Sequence, residues 1–195
     1  MTFFINQADR QIFNVVLPVI KAELNLTDSN IFVNVGFMTW MPTYLHEKFG
    51  FSLARSGFDA TFYHYIAAFF GILAGASVAD RYSHKFVGMR AMIQAIGLLL
   101  AVPFIFLLGF GNTPLFIYLV LALFGLFRGI YDSNIFASLY DVIEPKFRAT
   151  ATGFMLMFAF VIGASAPYNL GKIKPALGLA WGLSALSTVY IFSAL

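Results

Sequence analysis

Six apolar stretches, each bounded by a few polar residues, constrain this chain more than any other feature. They run over 31–45, 58–79, 86–108, 115–140, 149–170 and 176–195, and all but the first are 20 to 26 residues long. A helix needs about 20 apolar residues to cross roughly 30 Å of hydrocarbon. In lipid every backbone N–H and C=O must be bonded within the protein, which leaves only helices or closed barrels. These runs lack the alternation of barrel strands and far exceed their length of about 10 residues. The chain therefore reads as an all-α, polytopic membrane helix bundle of about six transmembrane helices. The first stretch is short and carries Asn34, Thr39 and Pro42.

Composition removes whole classes of function. Hydrophobic residues make up 60% of the chain and charged residues 11%, against about 25% charged in soluble domains. A soluble enzyme is excluded. The 12 basic and 9 acidic residues leave a net charge of +3, and the basic ones are scattered between apolar runs. Nothing there would track a phosphate backbone, so nucleic acid is not a partner. Without cysteine there is no disulfide, thiolate metal site or cysteine nucleophile. Neither paired His/Glu metal spacing nor a Gly-x-Ser-x-Gly element occurs, so an intramembrane enzyme is not expected, nor a metal or cofactor. Asp9 and Arg10 interrupt the N-terminal segment, which does not read as a cleavable signal peptide.

The connections are short, and none divides domains. Spans one to three and four to six form triplets of similar length, 31–108 and 115–195. An odd number of helices per triplet makes the second run opposite to the first. Arg81, Lys85, Arg90, Lys146 and Arg148 gather on one side, and Lys48, Arg55, Lys172 and Lys174 on the other. The bias toward the first group puts the 80–90 and 141–148 loops in the cytoplasm.

Polar residues inside the spans carry the chemistry. In the second span Thr61, His64, Tyr65, Ala68, Gly71, Gly75 and Ala79 recur at helical spacing, with Phe62, Ile66, Phe69 and Leu73 opposite. The small and polar face should pack against other helices and turn His64 and Tyr65 into the bundle. There the histidine serves either packing or a solute or proton site. In the fourth span Arg128 and Asp132 stand four apart, on the side that also holds Tyr131 and Gly125. A charge at mid-membrane costs about 2.5–3.5 kcal/mol on insertion scales, so the two should pair or line a wet cavity. As a staple they would hold the bundle together. As a site, Arg128 would hold an anionic group and Asp132 would be its counter-charge or a cation site. Gly71/Gly75, Gly125/Gly129 and Gly178/Gly182 are GxxxG pairs that permit close helix crossings. Pro42, Pro103 and Pro167 would kink helices. Trp40, Tyr44, Tyr168 and Asn169 suit either a site or interfacial anchoring.

The segment Ala76-Ser-Val-Ala-Asp80-Arg81-Tyr-Ser-His-Lys85, between two spans, resembles the loop signature of the major facilitator superfamily, Gly-x-x-x-Asp-Arg/Lys-x-Gly-x-Arg/Lys. Asp80, Arg81 and Lys85 match, while Ala76 and Ser83 replace the glycines, as in the less regular C-terminal copy of that motif. Asp141-x-x-x-Pro145-x-x-Arg148-Ala149-x-x-x-Gly153 resembles the family's loop into its eleventh helix. Residues 28–195 thus look like helices seven to twelve, one half of such a fold. Asn6-Gln-Ala-Asp9-Arg10-Gln, with Leu17-Pro18-x-Ile-Lys21-x-Glu23-Leu, resembles the opening helix of the organic-anion, sugar-acid and spinster-like branches. About five family helices would be missing between the two pieces, and the segment 1–27 is expected to be a non-spanning helix docked on the bundle.

The resemblance implies a multi-pass integral protein of the cell membrane, a secondary transporter or symporter for a small organic anion, sugar or sugar acid, coupled to a proton or cation. Arg128, Asp132, Tyr131, His64 and Tyr65 are the candidate substrate and coupling residues, and Asp80, Arg81, Lys85 and Arg148 the conformational loop motif. Six helices supply one wall of a cavity that normally lies between two halves. A homodimer or a missing N-terminal half would supply the other. The alternative is an internally deleted membrane fragment that does not transport.

Overall fold

The computed structural model of the chain describes residues 27–83 and 88–194. The N-terminal segment 1–26 and Lys85 lie outside the described residues, and so do the expectations placed on them. Among the described residues the structure consists of helices joined by short turns, with no strand. Helix α1 covers 27–49, and is followed by α2 (Leu53–Tyr82), α3 (Met89–Leu108), α4 (Pro114–Asp132) and α5 (Ile135–Val142). A short 3-10 turn, Pro145–Phe147, leads into one helical run, Arg148–Ala194.

That run of 47 residues would be about 70 Å long if straight. Gly178, at φ 78° and ψ 163°, breaks it into α6 (148–177) and α7 (179–194). The chain reverses there. Lys174 Nζ lies 2.6 Å from Glu47 Oε1 at one end of α1, whereas Tyr190 donates to Asn30 Oδ1 at the other, at 2.9 Å. The expected loop at 171–175 is helical, and the turn is a single glycine. Gly178 is therefore a backbone joint and not half of a packing motif: a Cβ built on it meets nothing within 4 Å. The conformation is nearly confined to glycine. Gly178→Ala should lower the thermal unfolding midpoint by the equivalent of about 1–3 kcal/mol; an unchanged midpoint would mean the joint is not held in this form.

The helix ends follow local chemistry. Gly50, at φ 68°, closes α1 and donates from its N–H to His46 O at 2.9 Å. Ser52 Oγ accepts from Arg55 N at the start of α2, and Thr113 Oγ1 accepts from Phe116 N at the start of α4, with Pro114 in the first turn. Leu53–Tyr82, Met89–Leu108, Pro114–Val142 and Pro145–Phe192 are long and apolar enough to cross a membrane. With α1 and the reversal at Gly178, six helical passes result among the described residues. The first is longer than the 31–45 read from hydropathy, because Thr27 to Asn30 continue the helix with polar residues.

The helix pair that matters most for the site is α2 with α4. A Cβ at Gly71 would strike the carbonyl of Leu126, one at Gly125 the carbonyl of His64, and one at Gly129 the carbonyl of Ala68. Gly75 lies against the backbone of Ile130 and Ser133 Oγ. Two GxxxG pairs thus interlock, backbone on backbone. The buried stripe of α2 includes His64, Ala68, Gly71, Gly75 and Ala79, and Phe62, Ile66, Phe69 and Leu73 lie exposed opposite. Tyr65 is a correction: it is 51% exposed and points away from the bundle. Successive helical residues differ by about 100°, so a face centred on His64 carries its neighbour outward.

Candidate functional site

The site grows out of that crossing. Gly125 lets α4 rest on the backbone of His64, one helical turn before Arg128. The Arg128 guanidinium then lies 3.0 Å, through Nη1, from His64 Nε2. Arginine has donors only, so Nε2 accepts and the imidazole proton sits on Nδ1. Phe124 and Phe37 flank the ring at 4.9 and 5.3 Å between centroids, and His64 is fully buried.

The other two guanidinium nitrogens face α1 and the end of α4. Nη2 is 3.1 Å from Asp132 Oδ2. Nε donates to Asn30 Oδ1 at 3.3 Å. Asn30 Nδ2 in turn donates to Asp132 Oδ1 at 3.2 Å, and Asn30 Oδ1 also receives the Tyr190 hydroxyl. A closed polar cluster therefore draws on α1, α2, α4 and α7, near the middle of α2 and of the 114–142 stretch. Side-chain exposure is 10% for Arg128 and 21% for Asp132, so the carboxylate is the member nearest to open space. Charged hydrogen bonds of this kind offset the desolvation that burial imposes.

The structure brings together Arg128, Asp132 and His64. Tyr131 is buried beside them but sends its hydroxyl to Thr27 Oγ1 at 3.3 Å. Tyr65 stands outside the cluster. Asn30 and Tyr190 were not expected from the sequence. The signal was the arginine itself, a buried cation that needs acceptors from other helices.

A second polar cluster occupies one end of the bundle. Arg90 pairs with Asp80 at 3.5 Å and Asp141 at 3.2 Å, and donates to Asn134 Oδ1 at 3.5 Å. It ties the ends of α2 and α5 to the break between α4 and α5, so the 80–90 and 141–148 segments do share one end. Asp80 and Arg81 are exposed there. Arg148 does not join them. It donates to Tyr140 O and Ile143 O at 2.9 and 3.2 Å, capping α5. At the opposite end Tyr44 and Lys48 donate to carbonyls that close α3, and Trp40 Nε1 donates to Pro167 O at 3.0 Å. No group of three or more metal-ligating side chains occurs among the described residues.

Residues 29–167 match the family model of the Major Facilitator Superfamily. A D-galactonate transporter of Escherichia coli O6:H1 is 30% identical over 162 residues, which cover 82% of this chain and 37% of that protein. The solved structure of a bacterial homologue of the human lysosomal transporter Spinster, inward-facing and unoccupied, superimposes with a TM-score of 0.76 at 17% identity. It covers 94% of this chain and 48% of its own. The chain thus spans less than half the length of either.

Proposed function

The chain belongs to the major facilitator superfamily, and from that premise we propose that it forms one wall of a secondary transporter for small organic anions, sugar acids foremost. The observation that carries the reading is Arg128, a guanidinium buried in the middle of a membrane helix beside a partly exposed carboxylate. A solute carboxylate would replace Asp132 on the guanidinium, with His64 Nδ1, which has no hydrogen-bond partner among the described residues, offering a polar contact to a hydroxyl group. Asp132, released from its cation, would then take up the coupling proton or a cation. The second wall would come from an N-terminal half of the family fold or from a second copy, because rocking access needs two bodies around the solute. The similarity to the D-galactonate transporter supports the sugar-acid class, and the lipid-facing surfaces suit the cell membrane.

Uptake of labelled D-galactonate into proteoliposomes tests the proposal. Wild-type protein should accumulate the label, and Arg128→Ala should not. Equal uptake by both would remove the site. Solute binding without flux would instead favour the second reading, a membrane fragment that does not transport.

A further inference from the structure

Among the cluster's members Asn30 has an unusual position, since its amide stands where a carboxylate would be expected. The Nε and Nη2 edge of an arginine is the one a carboxylate grips with both oxygens. Here Asp132 reaches only Nη2, and Asn30 Oδ1 occupies Nε. The other Asp132 oxygen is held by Asn30 Nδ2 at 3.2 Å. The amide cannot flip, because Arg128 Nε only donates and the Asp132 carboxylate only accepts, which fixes Oδ1 as the acceptor that the Tyr190 hydroxyl also reaches, at 2.9 Å. Asn30 is 2% exposed, so water does not compete for these bonds.

We infer that Asn30 is a positioning residue that keeps Asp132 from closing on Arg128 with both oxygens, and so leaves the arginine available to an anionic solute. The inference rests on the proposed anion site and concerns how its internal counter-ion is held. With the amide in place, a solute carboxylate has to displace one ion-pair contact. Without it, Asp132 swings onto Nε as well, and the solute has to displace two. Asn30 acts through Asp132, so its effect vanishes when Asp132 cannot act as a carboxylate.

The test is a double-mutant cycle on D-galactonate binding to the purified full chain in nanodiscs. Asn30→Ala should weaken binding about tenfold, the worth of one added charge-assisted hydrogen bond in the competing pair. Asp132→Asn should bind at least as well as wild type. Adding Asn30→Ala to Asp132→Asn should change affinity by less than about twofold. Asn30→Leu, which keeps the volume and vacates Nε, should repeat the pattern and guards against a folding defect in the alanine variant. An equal loss in both backgrounds would overturn the inference, because a merely structural role predicts additivity, and so would unchanged binding by Asn30→Ala. Binding that survives Arg128→Ala would instead remove the site on which the inference rests.

Discussion

Arg128→Ala should destabilise the bundle by roughly 3 kcal/mol, the lower end of what breaking a buried ion pair costs. Its effect comes mostly from what it leaves behind. Asp132 loses its cation, Asn30 Oδ1 loses one of two donors, and His64 Nε2 loses its donor, all in a region where water is scarce. The estimate is at the lower end because the Asp132 side chain is 21% exposed and can be partly hydrated. Removing both charges should therefore be milder: Arg128→Ala with Asp132→Ala should unfold at a higher temperature than Arg128→Ala alone. Arg128→Lys keeps a cation but not the planar fork, and should fall between the single variant and wild type. Thermal unfolding in detergent checks the order. A double variant less stable than the single one would mean that the two charges do not act as a pair.

The second large effect concerns backbone contact. Gly125→Leu places a branched side chain where its first carbon already meets the carbonyl of His64, and no rotamer relieves a clash at Cβ. The helices have to part, which costs about 1–3 kcal/mol or more in a packed interior. Separation would also pull His64 from Arg128. D-galactonate binding should be lost together with stability, whereas Gly57→Leu on α2, where a Cβ meets nothing within 4 Å, should leave both intact. Preserved binding in Gly125→Leu would show that the α2–α4 approach does not position the site.

The spans, the glycine pairs on α2 and α4 and the Arg128–Asp132 couple were legible because each has a local pattern. Run length reports membrane passage, a spacing of four reports a shared helical face, and burial of a charge is costly enough to demand a partner. Asn30 and Tyr190 have no such pattern. Each is a lone polar residue near a span end, and they meet 160 positions apart in sequence. Tyr65 misleads because it stands four from Thr61, at helical spacing, yet lies about 100° round the helix from His64, on which the buried face is centred. Gly178 misled because glycines four apart suggest packing, and sequence spacing does not distinguish a packed glycine from one with positive φ. In the sequence Arg90 reads only as a topological charge, although three helix ends converge on it.

The interlocked glycines also decide which parts around the arginine can shift. Two rods whose carbonyls rest against each other's α-carbons cannot slide without driving backbone into backbone, so α2 and α4 act as a fixed stator. The helices carrying Asn30 and Tyr190 reach that stator at Arg128 through side-chain tips, which can let go and re-engage while the rods stay locked.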